Sequence, residues 1–228
     1  MVDAGGPQRD SFRGSPGGRA ILRPAVQLFH YHLVTSKLRE VEERYLGKLG
    51  FELIARYGRV GEEAAAFEPG VPWDELDRMG FRLRLTELQR GAVNVVVQPG
   101  HWDVPRVDHV GIALDEEEFR AVLGRATLLG RRVQEHGGRR TFLATPAGYR
   151  LEIHPPREWI EELLAASDQL SLDELRLRAD DPGVKAQALA ELLGVDAENG
   201  TVEVGASVVS FVPGGPEGRP VLEAERFH

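Results

Sequence analysis

Three short stretches carry side chains able to bind a metal ion. The run from Val107 to Leu114 (VDHVGIAL) holds His109, the run from Arg150 to His154 (RLEIH) holds Glu152, and the run from Leu28 to Thr35 (LFHYHLVT) holds His32. Each is short, strand-like and bounded by turn residues. Two neutral imidazoles and one carboxylate leave a divalent ion with net positive charge and open coordination positions. Such a site suits Fe(II) or Mn(II) first, with Zn(II), Ni(II) or Co(II) as further options. A substrate with adjacent oxygens would chelate the ion, and Lewis acidity would stabilise an enolate or catecholate. The chain has no cysteine, so thiolate zinc sites and disulfides are excluded.

Strand alternation tests whether the three residues can meet. Successive side chains point to opposite faces, so His30, His32 and Val34 share one face while Phe29, Tyr31 and Leu33 share the other. His109, Gly111 and Ala113 lie opposite Val110, Ile112 and Leu114, and Glu152 shares a face with Arg150 and His154. All three candidate ligands therefore point away from the helices. On the same face, His154 is placed as a general acid or base or as a solvated edge residue. His30, Asn94 and Gln98 are substrate-binding candidates, with structural hydrogen bonding as the alternative. His30 lies two residues from His32, so a two-residue register error would exchange them. Trp73 and Trp102 sit in loops.

The elements that must position these residues recur. From Val26 a strand leads to an amphipathic helix over 37–48, with Leu38, Val41, Tyr45 and Leu49 at helical spacing and Gly50 ending it. Strands follow at 51–59, 81–88 and 92–98, with an irregular connection over 60–78 that is long enough for a lid. Residues 105–155 repeat the order β-α-β-β-β, the helix opening at the acidic run 115–118 and closing near Gly130. A linking helix is expected within 157–169. A third copy runs from 170 to 228, with a helix from Pro182 to Leu193, strands at 201–212 and 221–227, and an Asn199-Gly200 turn. Laid over the second copy, Glu174 falls on His109 and Glu223 on Glu152. Residues 1–25, rich in Gly, Pro, Arg and Ser and without a signal-peptide apolar core, read as a disordered tail.

Three βαβββ copies, with His32 followed by YLGKLGF (Tyr45 to Phe51), DHV (Asp108 to Val110) and TPAGYRLEIHP (Thr145 to Pro155), resemble the vicinal oxygen chelate superfamily. That superfamily includes glyoxalase I, extradiol ring-cleaving dioxygenases, bleomycin and fosfomycin resistance proteins and methylmalonyl-CoA epimerase. The resemblance covers residues 26–156 well and 170–227 weakly. It implies an α+β fold in which modules 26–100 and 105–156 pair into a cupped, partly open sheet around one metal held by His32, His109 and Glu152. The fourth family position aligns with Val96, which cannot bind a metal. This resembles the extradiol enzymes and implies a ring-cleaving dioxygenase. A metal-dependent lyase, isomerase or thiol transferase stands close behind, and a metal-free binder like the bleomycin resistance group is the alternative from another class. The odd third module suggests either a homodimer or a degenerate domain packed on its own chain.

Bulk properties set the outer limits. A chain of 228 residues buries a substantial core, and 42% hydrophobic with 28% charged residues is ordinary globular composition. A net charge of -8 without a basic stripe argues against a nucleic-acid partner. No apolar run reaches membrane-spanning length, so a small-molecule substrate and a cytoplasmic location are the expectation.

Overall fold

The computed structural model describes residues 26–165 and 170–228. The tail expected over 1–25 and the end of the linking helix, 166–169, lie outside the described residues. The fold is α+β, built on one large, open, mixed sheet of fourteen strands among the described residues.

The first unit runs β1 (Val26–Thr35), α1 (Leu38–Glu43), β2 (Glu52–Val60), β3 (Glu63–Phe67), α2 (Trp73–Arg78), β4 (Phe81–Arg90) and β5 (Val93–Pro99). After α1 the chain continues through a wider, π-helical turn (Arg44–Lys48). The second runs β6 (Arg106–Leu114), α3 (Glu116–Leu128), β7 (Val133–His136), β8 (Arg140–Ala144) and β9 (Arg150–His154), followed by α4 (Glu158–Leu164). The C-terminal run comprises β10 (Leu172–Ala179), α5 (Pro182–Leu193), β11 (Ala197–Glu198), β12 (Thr201–Val204), β13 (Ser207–Pro213) and β14 (Val221–Phe227). Local chemistry sets the helix ends. The Asp115 carboxylate accepts from Glu118 N at the start of α3. Asp181 caps Val184 N with Pro182 in the first turn of α5, and Gly194 (φ 72°) closes that helix in the left-handed conformation.

Strand order across the sheet is β11-β12-β13-β10-β14-β6-β1-β5-β4-β2-β3, with β9, β8 and β7 branching from β6. β1 and β6 pair antiparallel at the centre, and each has a parallel partner, β5 and β9. Leu28, Tyr31, Leu33, Val95, Val97, Val110, Ile112, Leu151 and Ile153 fill the helix-side core. Burial of such side chains contributes roughly 1.5–3 kcal/mol each.

Four sequence expectations need correction. The connection at 60–78 is a hairpin strand plus a helix, because β3 pairs with β2 across the Gly61 turn and α2 buries Leu76. Small residues such as Ala64, Ala65 and Ala66 carry little strand signal, and tertiary pairing decides their conformation. The 201–212 strand divides at Gly205 (φ 64°) into β12 and β13. β13, not β14, is the parallel partner of β10, with Arg176 beside Ser210, so the overlay of Glu223 on Glu152 fails. β14 lies antiparallel to β10 on its other side. Finally, Phe29 does not share a face with Tyr31 and Leu33. The β1–β6 register shifts between Leu28 and His30, and the bulged Phe29 packs with Ala113 and Ile160 instead.

The C-terminal run packs on its own chain. Val221 pairs with Arg106, Phe227 stacks edge-on against Phe51, and Arg125 of α3 donates to the carbonyls of Leu192 and Leu193 at the end of α5.

Candidate metal centre

The sheet register assembles the centre from two rows of residues crossing the strands. One row reads Asn94, His30, Gly111, Glu152 along β5, β1, β6 and β9. The next reads Val96, His32, His109, Arg150. Gly111 leaves a gap between His30 and Glu152, and His109 fills it from the adjacent row. A Cβ on Gly111 would stand 2.7 Å from the His30 Cβ, so only glycine admits this approach.

Three donor atoms converge in that gap. His109 Nε2 lies 3.1 Å from His30 Nε2 and 2.9 Å from Glu152 Oε2, and His30 Nε2 lies 3.8 Å from the same oxygen. Adjacent donors on an octahedral ion with bonds of about 2.1 Å stand about 3.0 Å apart. His32 lies beside them; its ring centroid is 4.7 Å from that of His109, and its Nε2 is buried without a hydrogen-bond partner. His30, His32 and His109 bring ligand atoms within 4.8 Å of one another.

The surrounding hydrogen bonds orient these rings. His30 Nδ1 faces two acceptors, Asn94 Oδ1 at 2.8 Å and the Asn94 carbonyl at 3.2 Å, so it carries the hydrogen. The Asn94 amide is held that way round because its Nδ2 donates to Glu87 Oε1 and Gln89 Oε1. His109 Nδ1 donates to Asp108 Oδ2 at 2.8 Å. Both Nε2 atoms therefore turn lone pairs toward each other, and a cation between them converts that repulsion into attraction. The donor set, its spacing and the orphaned His32 Nε2 all fit a divalent ion.

The other predicted residues divide. Asn94 is buried and orients His30. His154, 1% exposed, places Nε2 3.1 Å from Glu152 Oε1 and presents its ring to Trp159 and Phe29. Arg140 Nε also approaches Glu152 Oε1, at 3.4 Å. Gln98 sits four residues beyond Asn94 on β5, beside Val34, at the half-buried end of that strand. Strand alternation alone turns Asp108 away from the His109 face. The adjacent carboxylate–histidine pair was its only signal.

Electrostatics follow burial. Burial pushes His30 down to about 3, against the opposing pull of the Glu152 charge. His32 is also well below the ordinary histidine range, through burial and then the neighbouring His109. Burial works to raise Glu152, but the neighbouring His109 and His154 outweigh it and hold the carboxyl well below the usual range. A pH dependence follows. The unfolded chain protonates His30 as pH falls through about 6.5 while the folded chain keeps it neutral, so the unfolded state binds more protons. Its contribution is complete above about pH 6.5 and is lost progressively toward pH 3, and Glu152 adds a further loss below its ordinary value of 4.5. Urea denaturation of metal-free protein should give a lower midpoint at pH 5 than at pH 7. His30→Gln should flatten that difference, and an equal slope in both proteins would remove His30 as its source.

The branched sheet and the pair of parallel-flanked central strands define the class: the chain has the fold of the vicinal oxygen chelate superfamily. No family model matches the sequence, and no curated protein matches it. Among solved structures, a variant of 4-hydroxymandelate synthase from Streptomyces coelicolor is similar at TM-score 0.58 and 13% identity, over 90% of this chain and 71% of that one. A halotolerant catechol dioxygenase is similar at TM-score 0.50 and 15% identity, over 83% of this chain and 66% of that one. A fusion of a xylose isomerase-like TIM barrel with 4-hydroxyphenylpyruvate dioxygenase gives 0.52 at 13% identity, over 88% of this chain and 35% of that one. No helix among the described residues is long and apolar enough to cross a membrane.

Proposed function

We propose that this chain is a metal-dependent enzyme acting on a small oxygenated organic substrate, with extradiol-type ring cleavage of a catechol as its reaction. The observation that carries the reading is the convergence of His30 Nε2, His109 Nε2 and Glu152 Oε2 within 3.8 Å, with both Nδ1 atoms tied to acceptors behind them. His109 and Glu152 hold the ion, His30 supplies the third donor, and His32, the ligand expected from sequence, stands beside the two imidazoles. Fe(II) or Mn(II) is the favoured ion, and bound there it supplies Lewis acidity and open positions for two adjacent substrate oxygens. The chain's own groups do the rest. His154 and Arg140 hold the outer oxygen of Glu152, Asn94 and Asp108 fix the two rings, and Phe142 closes edge-on over His109 at 5.1 Å between centroids. The similarity to a catechol dioxygenase supports this choice of reaction within the fold.

Elemental analysis of protein purified without oxygen or an affinity tag tests the first half, and oxygen uptake with a catechol panel tests the second. About one equivalent of iron or manganese with catechol-dependent oxygen uptake is expected. Zinc or nickel at that level, without oxygen uptake, would move the reaction to the lyase and isomerase branch. No bound metal, and none taken up on titration, would leave a small-molecule binder.

A further inference from the structure

The carboxylate behind His109 is held by a residue more than a hundred positions downstream. Asp108 is 5% exposed. Its Oδ2 accepts from His109 Nδ1 at 2.8 Å and from Arg150, and its Oδ1 pairs with Arg219 Nη2 at 2.7 Å. Arg219 belongs to the 214–220 loop between β13 and β14, in the C-terminal run. The chain is fastened just beyond Arg219: Val107 N donates to the Pro220 carbonyl and Leu222 N to the Pro105 carbonyl, each at 3.0 Å. At Gly148, in the turn before β9, a Cβ would lie 2.3 Å from the Gly218 carbonyl oxygen, so the two turns are in direct backbone contact. The guanidinium also lies 5.8 Å from the Trp102 ring, and the Trp102 carbonyl accepts from Ser36 N and Thr35 Oγ1 at the end of β1.

We propose that Arg219 is a positioning residue for the metal centre, acting through Asp108 on His109. A carboxylate held at one oxygen only is free to rotate, and Arg150 alone would draw Oδ2 off the ring. With Oδ1 fixed by Arg219, Oδ2 stays on the His109 Nδ1 hydrogen and the Nε2 lone pair stays aimed into the gap. The partner that fixes a ligating histidine commonly accounts for 10–100-fold in metal affinity. The C-terminal run is therefore part of the site. The affinity readout rests on the proposed metal role of His109; the tautomer readout does not.

The test compares full-length wild type with Arg219→Ala and Arg219→Lys. In metal-free protein, long-range 15N–1H spectra should show His109 as the Nδ1–H tautomer in wild type and a mixture in Arg219→Ala. Co(II) affinity should fall by about 10–100-fold in Arg219→Ala. Arg219→Lys, or guanidinium ion added at millimolar level to Arg219→Ala, should restore most of it. Unchanged tautomer and affinity in a folded Arg219→Ala protein would overturn the proposal. Should Arg219→Ala fail to fold, Arg219→Gln carries the test, and a mixed tautomer with weakened affinity there would support the same role while wild-type values would overturn it. Failure of wild type to bind Co(II) would defeat the metal reading, and the tautomer would still decide Arg219.

Discussion

Glu152→Gln is expected to lose stoichiometric Co(II) binding, with affinity reduced by about 100-fold or more. The substitution preserves volume, so the buried packing around a residue 2% exposed is kept. What disappears is, among the described residues, the one carboxylate oxygen near both converging imidazoles, 2.9 Å from His109 and 3.8 Å from His30. A divalent ion left with neutral donors alone loses its compensating charge, and that loss exceeds the 10–100-fold typical of a partner one layer further out. Isothermal titration of metal-free protein, with circular dichroism as the fold control, decides the matter. If Glu152→Gln keeps wild-type affinity while His32→Ala abolishes binding, the ion is held by the three imidazoles His30, His32 and His109, which also approach within 4.8 Å.

A second large effect lies away from the centre. Glu42→Ala should destabilise the protein by about 3–5 kcal/mol, the cost of leaving a buried charge without its partner. Glu42 is 3% exposed and accepts a two-pronged contact from Arg56, Nη2 to Oε1 at 2.6 Å and Nε to Oε2 at 3.0 Å. Trp73 Nε1 donates to Oε1 at 2.9 Å and Thr86 Oγ1 to Oε2 at 3.0 Å. One carboxylate thus joins α1, β2, α2 and β4, and its removal strands Arg56, itself 6% exposed. Replacing the pair together, Glu42→Met with Arg56→Leu, should cost far less, because no unpaired charge remains. Urea unfolding of the single and double variants separates these outcomes. Equal losses in both would show that packing, rather than the stranded charge, carries the effect.

The centre and this anchor differ in how visible they were in the sequence. His109, Glu152 and the two-residue alternation around them were legible because a strand's period of two is local and exact in sequence. So were the helix at 182–193, marked by Pro182 and Gly194, and the turn residues that bound each strand. Glu42 was not legible: on a helix it reads as one more solvent-facing acid among Glu40, Glu42 and Glu43, and its burial depends on α2 folding over it. α2 in turn came from a stretch whose Gly and Pro residues spoke for an irregular loop.

By itself, then, the sequence determined that imidazole and carboxylate donors share one strand face, with Phe29 the residue it put on the wrong side. It could not decide between His30 and His32, because residues two apart on a strand share a face and differ only in register. Register is a tertiary quantity, set here by β1 pairing with β6 across a bulge at Phe29, which brings Gly111 beside His30 and opens the gap toward Glu152. The same holds for Asp108 and Arg219. A contact across more than a hundred residues leaves no local pattern, and only the docking of the 214–220 loop on β6 and the turn before β9 creates it.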